Sequence, residues 1–108
     1  MPIPEITPRQ VKQRLDAGDP DLVLLDVREI EELALARIEG AIHVPMDEVP
    51  ASLAQLDREA DTIVVCHHGI RSALVCDFLL GHGYPRVANL SGGIEAWYHD
   101  VDPSVGRY

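Results

Sequence analysis

The sequence predicts an α/β fold: a parallel sheet with helices on both faces. Three observations point there. The apolar runs Leu22-Val23-Leu24-Leu25 and Thr62-Ile63-Val64-Val65 lack the polar alternation of a half-wet strand, which suits strands buried on both sides. Segments with helical patterning and capping signals separate such runs, so strand and helix alternate. Strands joined through helices make right-handed crossovers and a parallel sheet.

The elements follow in order. Ile6-Thr7-Pro8-Arg9-Gln10-Val11 opens a helix: Thr7 is the N-cap, Pro8 takes the first helical position, and Gln10 completes a capping box. Ile6 and Val11 close a hydrophobic staple, Val11 and Leu15 face inward, and Gly18 ends the helix. Residues just before Thr7 form a short edge strand, which Pro4 tolerates. Asp21 to Asp26 is a buried strand, and Glu29 to Ala36, rich in Glu, Leu and Ala, a short helix. Gly40 to Pro45 is a third strand closed by proline. Asp47 to Leu56 is helical, broken or restarted at Pro50. Asp61 to Val65 is the strand that delivers Cys66. A helix from Ser72 runs to Gly81-His82-Gly83, and Tyr84-Pro85 turns the chain. Arg86 to Leu90 is the last strand, and Ser91-Gly92-Gly93 turns it into a helix from Ile94 to about Tyr98.

Composition narrows the function classes. The 108 residues are expected to make one domain, with its core at about residues 6–99 and a surface tail at 100–108. A formal charge of −9 argues against a nucleic-acid surface, which needs a basic stripe. It also gives an anionic substrate no long-range help, so any anion must be attracted locally. No apolar run reaches the ~18 residues of a membrane span. The N-terminus has neither the basic region nor the apolar core of a signal peptide. Two cysteines are too few for a disulfide scaffold, and the expected compartment is the reducing cytoplasm. There is no Gly-x-Gly-x-x-Gly and no phosphate-loop lysine, so no nucleotide site and no cofactor is expected.

The stretch that carries chemistry is Val64-Val65-Cys66-His67-His68-Gly69-Ile70-Arg71-Ser72. It reads as strand, tight loop, helix, with Cys66 at the strand's C-terminal end, where open α/β sheets bind ligands. Loop N–H groups and the start of the next helix together stabilise an anion there, which makes Cys66 the candidate nucleophile. Gly69 lets the loop adopt a conformation other residues resist and leaves room near the sulfur. Arg71 can fork two hydrogen bonds to an oxyanion or brace the loop's carbonyls. Ser72 reads most simply as an N-cap or a bracing hydroxyl. His67 and His68 suggest a general base or, with Cys66, a metal site. Adjacent residues rarely converge on one ion, so they are read as loop wall and no metal is expected. Cys76 lies on an apolar helical stretch and is read as core. A disulfide with Cys66 needs Cα atoms within ~7 Å. Asp26 and Arg28 lie at the end of the second strand as supporting residues, and Arg28 can pair with Glu32 at i, i+4.

These motifs resemble the rhodanese family of sulfurtransferases over nearly the whole chain. Asp26-Val27-Arg28-Glu29 with Glu32-Leu33 is similar to the family's first motif, and Gly40-Ala41-Ile42-His43-Val44-Pro45 to its second. The Cys66 loop is similar to its active-site loop, and Asn89-Leu90-Ser91-Gly92-Gly93-Ile94-Glu95-Ala96-Trp97 to its closing motif. The chain departs from the family at Ala36-Arg37 and Glu39-Gly40, where Gly-His and Pro-Gly are usual. The resemblance implies a three-layer fold with five parallel strands in the order 1-5-4-2-3. It also implies a persulfide mechanism. Cys66 takes the sulfane sulfur of thiosulfate or a persulfide donor and passes it to cyanide or another thiophilic acceptor. Backbone N–H groups of residues 67 to 72 cradle the sulfur, and Arg71 holds the loop or the donor. A protein thiol partner, a sulfur-carrier or docking role, and phosphatase or arsenate reductase chemistry are the alternatives. Related enzymes of the last two kinds have a loop longer by one residue. The shorter loop here, His67 to Ile70 between Cys66 and Arg71, suits a sulfur atom better than a tetrahedral oxyanion.

Overall fold

The structure, a computed structural model, describes residues 3–108. Five parallel strands form one sheet in the order β1-β5-β4-β2-β3, as the resemblance implied. They are β1 (Glu5–Ile6), β2 (Leu22–Asp26), β3 (Ile42–His43), β4 (Asp61–Val65) and β5 (Val87–Leu90). The helices are α1 (Pro8–Asp16), α2 (Ile30–Leu33), α3 (Ile70–Gly81) and α4 (Gly93–Asp100), with 3-10 turns at Met46–Glu48, Pro50–Gln55 and Pro103–Val105. The central strands pair from Leu22 opposite Asp61 to Asp26 opposite Val65. Both apolar runs therefore end at the same edge of the sheet, and Val27 and Cys66 leave it side by side.

Successive strand residues point to opposite faces, and the core divides accordingly. Leu25, Val64 and Val87 meet Val75, Cys76 and Leu79 of α3. Leu24, Ile63, Val65 and Leu90 meet Val11 of α1 and Ile94 and Trp97 of α4. This is the three-layer arrangement, and it explains why the strand sequences carry no polar alternation. Each fully buried side chain such as Leu25 or Leu90 contributes about 1.5–3 kcal/mol.

Helix α1 starts as the sequence indicates. Thr7 Oγ1 accepts the Gln10 N–H, and Gln10 Oε1 accepts the Thr7 N–H. At its end the Gly18 N–H donates to the Leu15 carbonyl and the Asp19 N–H to the Arg14 carbonyl, closing a Schellman turn. Leu15 does not face inward; it is 40% exposed. In the same turn Arg14 forks to Asp19 and reaches Asp61, so an ion-pair network closes the end of the helix.

Other elements differ from the sequence reading, among them the helix expected over Glu29 to Ala36, which spans only Ile30–Leu33. The stretch after Asp47 forms 3-10 turns because Pro45 and Pro50 limit it to i, i+3 bonds such as Glu48 N–H to Pro45 O and Ser52 N–H to Val49 O. Helix α3 begins at Ile70, because Gly69 is its N-cap at φ 99°. The tail does more than lie on the surface: the Arg37 N–H donates to Val105 O at 2.9 Å, and Tyr108 returns to Arg28 and Glu32.

Candidate active site

Cys66 leaves β4 directly and is 1% exposed. Two features curl the loop after it. Gly69 adopts a left-handed conformation at φ 99°, which side-chain-bearing residues resist. The first turn of α4 then grips the loop from behind. The Ile94 N–H donates to Cys66 O at 2.9 Å and the Glu95 N–H to His67 O at 3.1 Å. These are N–H groups that a helix start leaves free. Planar trans peptides put C=O and N–H on opposite sides, so with these two carbonyls drawn to α4 the N–H groups of His67 and His68 face away from it. The Gly69 N–H donates to Cys66 Sγ at 3.1 Å, and the start of α3 adds its positive dipole end. The side chain Gly69 lacks would not meet the sulfur. Its nearest atoms would be Gly92 N at 3.4 Å and Leu90 O at 3.5 Å, so the glycine is there for backbone shape.

Ser72 is a buried residue in the first turn of α3 and caps nothing. Its Oγ lies 3.1 Å from Cys66 Sγ and donates to Asn89 Oδ1. Asn89 is held in that orientation because its Nδ2 donates to Gly69 O and to Glu5 Oε2, both at 3.0 Å. A hydroxyl has one proton. With that proton on Asn89, the neutral Cys66 thiol donates to Ser72 Oγ. When Cys66 ionises, Ser72 can turn its proton to the sulfur. Asn89, at the end of the neighbouring strand β5, thus ties the loop, the sulfur and Glu5 into one hydrogen-bond chain.

Arg71 is not aimed at the sulfur cradle. Its Nη1 and Nη2 fork onto Glu32 Oε2 and Oε1 at 2.7 and 2.8 Å. Glu32 also accepts from the Tyr108 hydroxyl at 2.7 Å and from the Glu29 N–H at 2.9 Å. The Arg71 guanidinium first, then these donors, pull the Glu32 carboxyl down to about 2, and Arg71 is raised in turn by Glu32. The expected side-chain pair of Arg28 with Glu32 does not form. Arg28, 0% exposed, grips Asp26 instead: its Nε donates at 2.9 Å and its Nη2 at 2.7 Å. Remaining Arg28 donors reach Ala36 O and the Tyr108 hydroxyl. Asp26 and Arg28 thus form one buried pair at the end of β2, tied to the α2 segment and the tail. Burial makes this pair specific, because either partner alone would be a buried unpaired charge.

His67 and His68 stack on each other at 4.0 Å between ring centroids, and His67 stacks on Tyr108 at 3.9 Å. The rings form a wall and do not converge with Cys66 on one point. Burial and then the neighbouring His68 lower the His67 pKa from its ordinary value, disfavouring its charged form. Ile70 is exposed at the rim. Cys76 is wholly buried in the α3 core, and burial pushes its thiol up to about 12. It is a packing residue, as its apolar surroundings in sequence suggest.

Sequence reasoning did not assign three residues that the fold brings to the site. Asn89 and Gly93 lay in plain view in the closing motif, and the strand order β5-β4 was the signal that brings them beside Cys66. Tyr108 offered no signal, since nothing in a short polar tail marks a residue that returns to Arg28 and Glu32.

With this geometry in hand, comparison with known proteins is direct. A model of the rhodanese-like domain family matches residues 7–100. The chain is 37% identical over 101 residues to a sulfurtransferase of Allochromatium vinosum, covering 94% of each chain. It is 32% identical over 99 residues to the thiosulfate sulfurtransferase GlpE of Glaesserella parasuis, covering 92% of this chain and 90% of the relative. The crystal structure of a rhodanese-like domain protein from Staphylococcus aureus superposes with a TM-score of 0.82 at 34% identity, over 88% of this chain and 91% of that one. The matched region holds both the Cys66 loop and the Gly92-Gly93 turn behind it, and the chain belongs to the rhodanese-like domain family.

Proposed function

We propose that the protein is a sulfurtransferase in which Cys66 carries sulfur as a persulfide between a donor and a thiophilic acceptor. The observation that carries this reading is the Gly69 N–H aimed at Cys66 Sγ at 3.1 Å within a tight loop at the head of α3. A thiolate in such a cradle attacks the outer sulfur of a donor. With thiosulfate, the S–S bond breaks and sulfite leaves with its electron pair; the transferred sulfur stays bonded to Cys66. Attack by cyanide or an acceptor thiolate on that outer sulfur then returns the Cys66 thiolate. In both half-reactions the loop N–H groups and Ser72 stabilise negative sulfur. Asn89 and Gly93 hold the loop in shape, and Asp26 and Arg28 support it from below. The wall of His67, His68 and Ile70 shapes what reaches the sulfur.

Two features favour sulfur over a phosphoryl group. The loop is short, and the Arg71 fork, which would match the oxygens of a phosphoryl group, is taken by Glu32. The thiosulfate sulfurtransferase and the sulfurtransferase among the relatives support the same chemistry. The test is mass spectrometry of Cys66 after incubation with thiosulfate or a persulfide, followed by thiocyanate formation on adding cyanide. Cys66→Ser is expected to abolish both. A stable added sulfur with negligible turnover to cyanide would instead favour a carrier that delivers to a protein thiol. Cys66-dependent hydrolysis of an aryl phosphate with no sulfur uptake would overturn the proposal.

A further inference from the structure

The two arginines of the site both turn their forks to carboxylates. Arg28 is buried against Asp26, and Arg71 is held two-pronged by Glu32. What lies beside the cradle is therefore a neutral pair, Arg71–Glu32, in a chain of charge −9. Glu32 is itself fastened by the Tyr108 hydroxyl at 2.7 Å and the Glu29 N–H at 2.9 Å. For Arg71 to meet an incoming anion, it must leave a carboxylate whose position is fixed by other bonds.

From this we infer that Glu32, braced by Tyr108, filters sulfur donors by charge, so that Cys66 draws on hydropersulfides with neutral or cationic carriers in preference to thiosulfate. The inference rests on the sulfur-transfer reading and names the donor class for it. With a hydropersulfide R–S–SH, the Cys66 thiolate attacks the outer sulfur, the S–S bond breaks and RS⁻ leaves. The product is Cys66–S–SH, with the donor's proton kept on the transferred sulfur. One negative charge enters as Cys66 and one leaves as the thiolate. Thiosulfate brings two negative charges to the same place, and sulfite must carry two away. A site meant to attract that dianion would present an uncommitted guanidinium, and here backbone N–H groups are left to do so. Glu32 is a positioning residue: it acts by occupying Arg71 and touches no reacting atom.

The test compares donors that share reacting atoms and differ in remote charge. Cysteamine hydropersulfide carries an ammonium, mercaptoacetate hydropersulfide a carboxylate, and thiosulfate is the third donor. Sulfur uptake by Cys66 is followed by mass spectrometry at several donor concentrations and two salt concentrations. The wild-type protein is expected to prefer the cysteamine donor to the mercaptoacetate donor, and thiosulfate to be the weakest. Glu32→Gln keeps the shape and removes the charge. It is expected to raise the kcat/KM ratio of thiosulfate to cysteamine hydropersulfide about tenfold, the scale of one partly screened charge. The change should lie in KM and shrink at high salt. Tyr108→Phe keeps the ring stacked on His67 and loosens Glu32, giving a smaller change in the same direction. Adding Arg71→Gln to Glu32→Gln should erase the gain, because the gain works through the freed arginine. An unchanged donor ratio in Glu32→Gln, or a gain that survives Arg71→Gln, overturns the filter while leaving sulfur transfer intact. A wild-type protein that takes sulfur from none of the donors overturns both.

Discussion

Gly93→Ala tests how closely α4 grips the cysteine loop. Gly93 sits at φ 64°, and a Cβ there would lie 2.5 Å from Cys66 O and equally close to the His67 carbonyl carbon. Both contacts are with backbone, so no side chain can swing aside; α4 and the loop must separate by about 1 Å to restore ordinary van der Waals spacing. That separation breaks or stretches the Ile94 N–H bond to Cys66 O and the Glu95 N–H bond to His67 O, each contributing about 1 kcal/mol. The left-handed conformation costs an alanine a further 1–2 kcal/mol or so. The expected destabilisation is about 3–4 kcal/mol. Gly40→Ala is the matched control: its φ is 85°, and nothing lies within 4 Å of the added carbon. It carries only the dihedral cost, about 1–2 kcal/mol, so the two variants should differ by about 2 kcal/mol. Urea titration of both proteins measures this difference, and an unchanged slope certifies that stability alone has shifted. In a thermal melt the gap corresponds to about 10 °C. If the two variants agree within about 0.5 kcal/mol, α4 does not clasp the loop as described, and the account of how the N–H groups are aimed fails with it.

Two further outcomes follow from the same geometry. Asn89→Ala leaves the buried Ser72 hydroxyl and Gly69 carbonyl without their partner, which should destabilise the fold by about 2–3 kcal/mol and slow sulfur uptake by Cys66; uptake at the wild-type rate would show that the Ser72–Asn89 chain has no part in preparing the sulfur. Glu32 is depressed from 4.5 to about 2 by Arg71, so its stabilisation is fully present above about pH 4.5 and is lost as pH falls toward 2. The ceiling of about 3 kcal/mol, discounted because the partners are 19% and 33% exposed, leaves about 1–2 kcal/mol. The stability difference between wild type and Glu32→Gln, followed by denaturant titration from pH 6 down, should shrink by that amount; a difference that stays constant across the window refutes the ion pair's contribution.

The fold was largely legible because its signals are local. The Thr7–Gln10 capping box, the unbroken apolar runs of β2 and β4 and the Cys66 loop can each be read from consecutive residues. What escaped depends on neighbours distant in sequence. The end of α1 is fastened by Arg14 to Asp61, a partner 47 residues away, while Leu15 stays exposed. Arg28 and Glu32 have the spacing of a helical pair, yet Arg28 precedes α2 and is drawn down to the strand end by Asp26. Ser72 has the composition of a cap, but the left-handed Gly69 starts the helix earlier and places Ser72 inside its first turn. Tyr108 contacts Glu32 across 76 residues, which no pattern of spacing anticipates. The Cys66 loop was therefore readable from its own stretch, whereas the groups packed around it come from β5, α2 and the tail.

Cys76 gives the proposed cycle a consequence in time. A thiol sealed in the α3 core and held protonated to about pH 12 cannot compete for sulfur parked on Cys66. Among the described residues these are the only cysteines, so no second sulfhydryl of this domain discharges the loaded state. Its lifetime is then set from outside, by how often an acceptor arrives and fits past the histidine wall, and a charged protein can wait for its recipient.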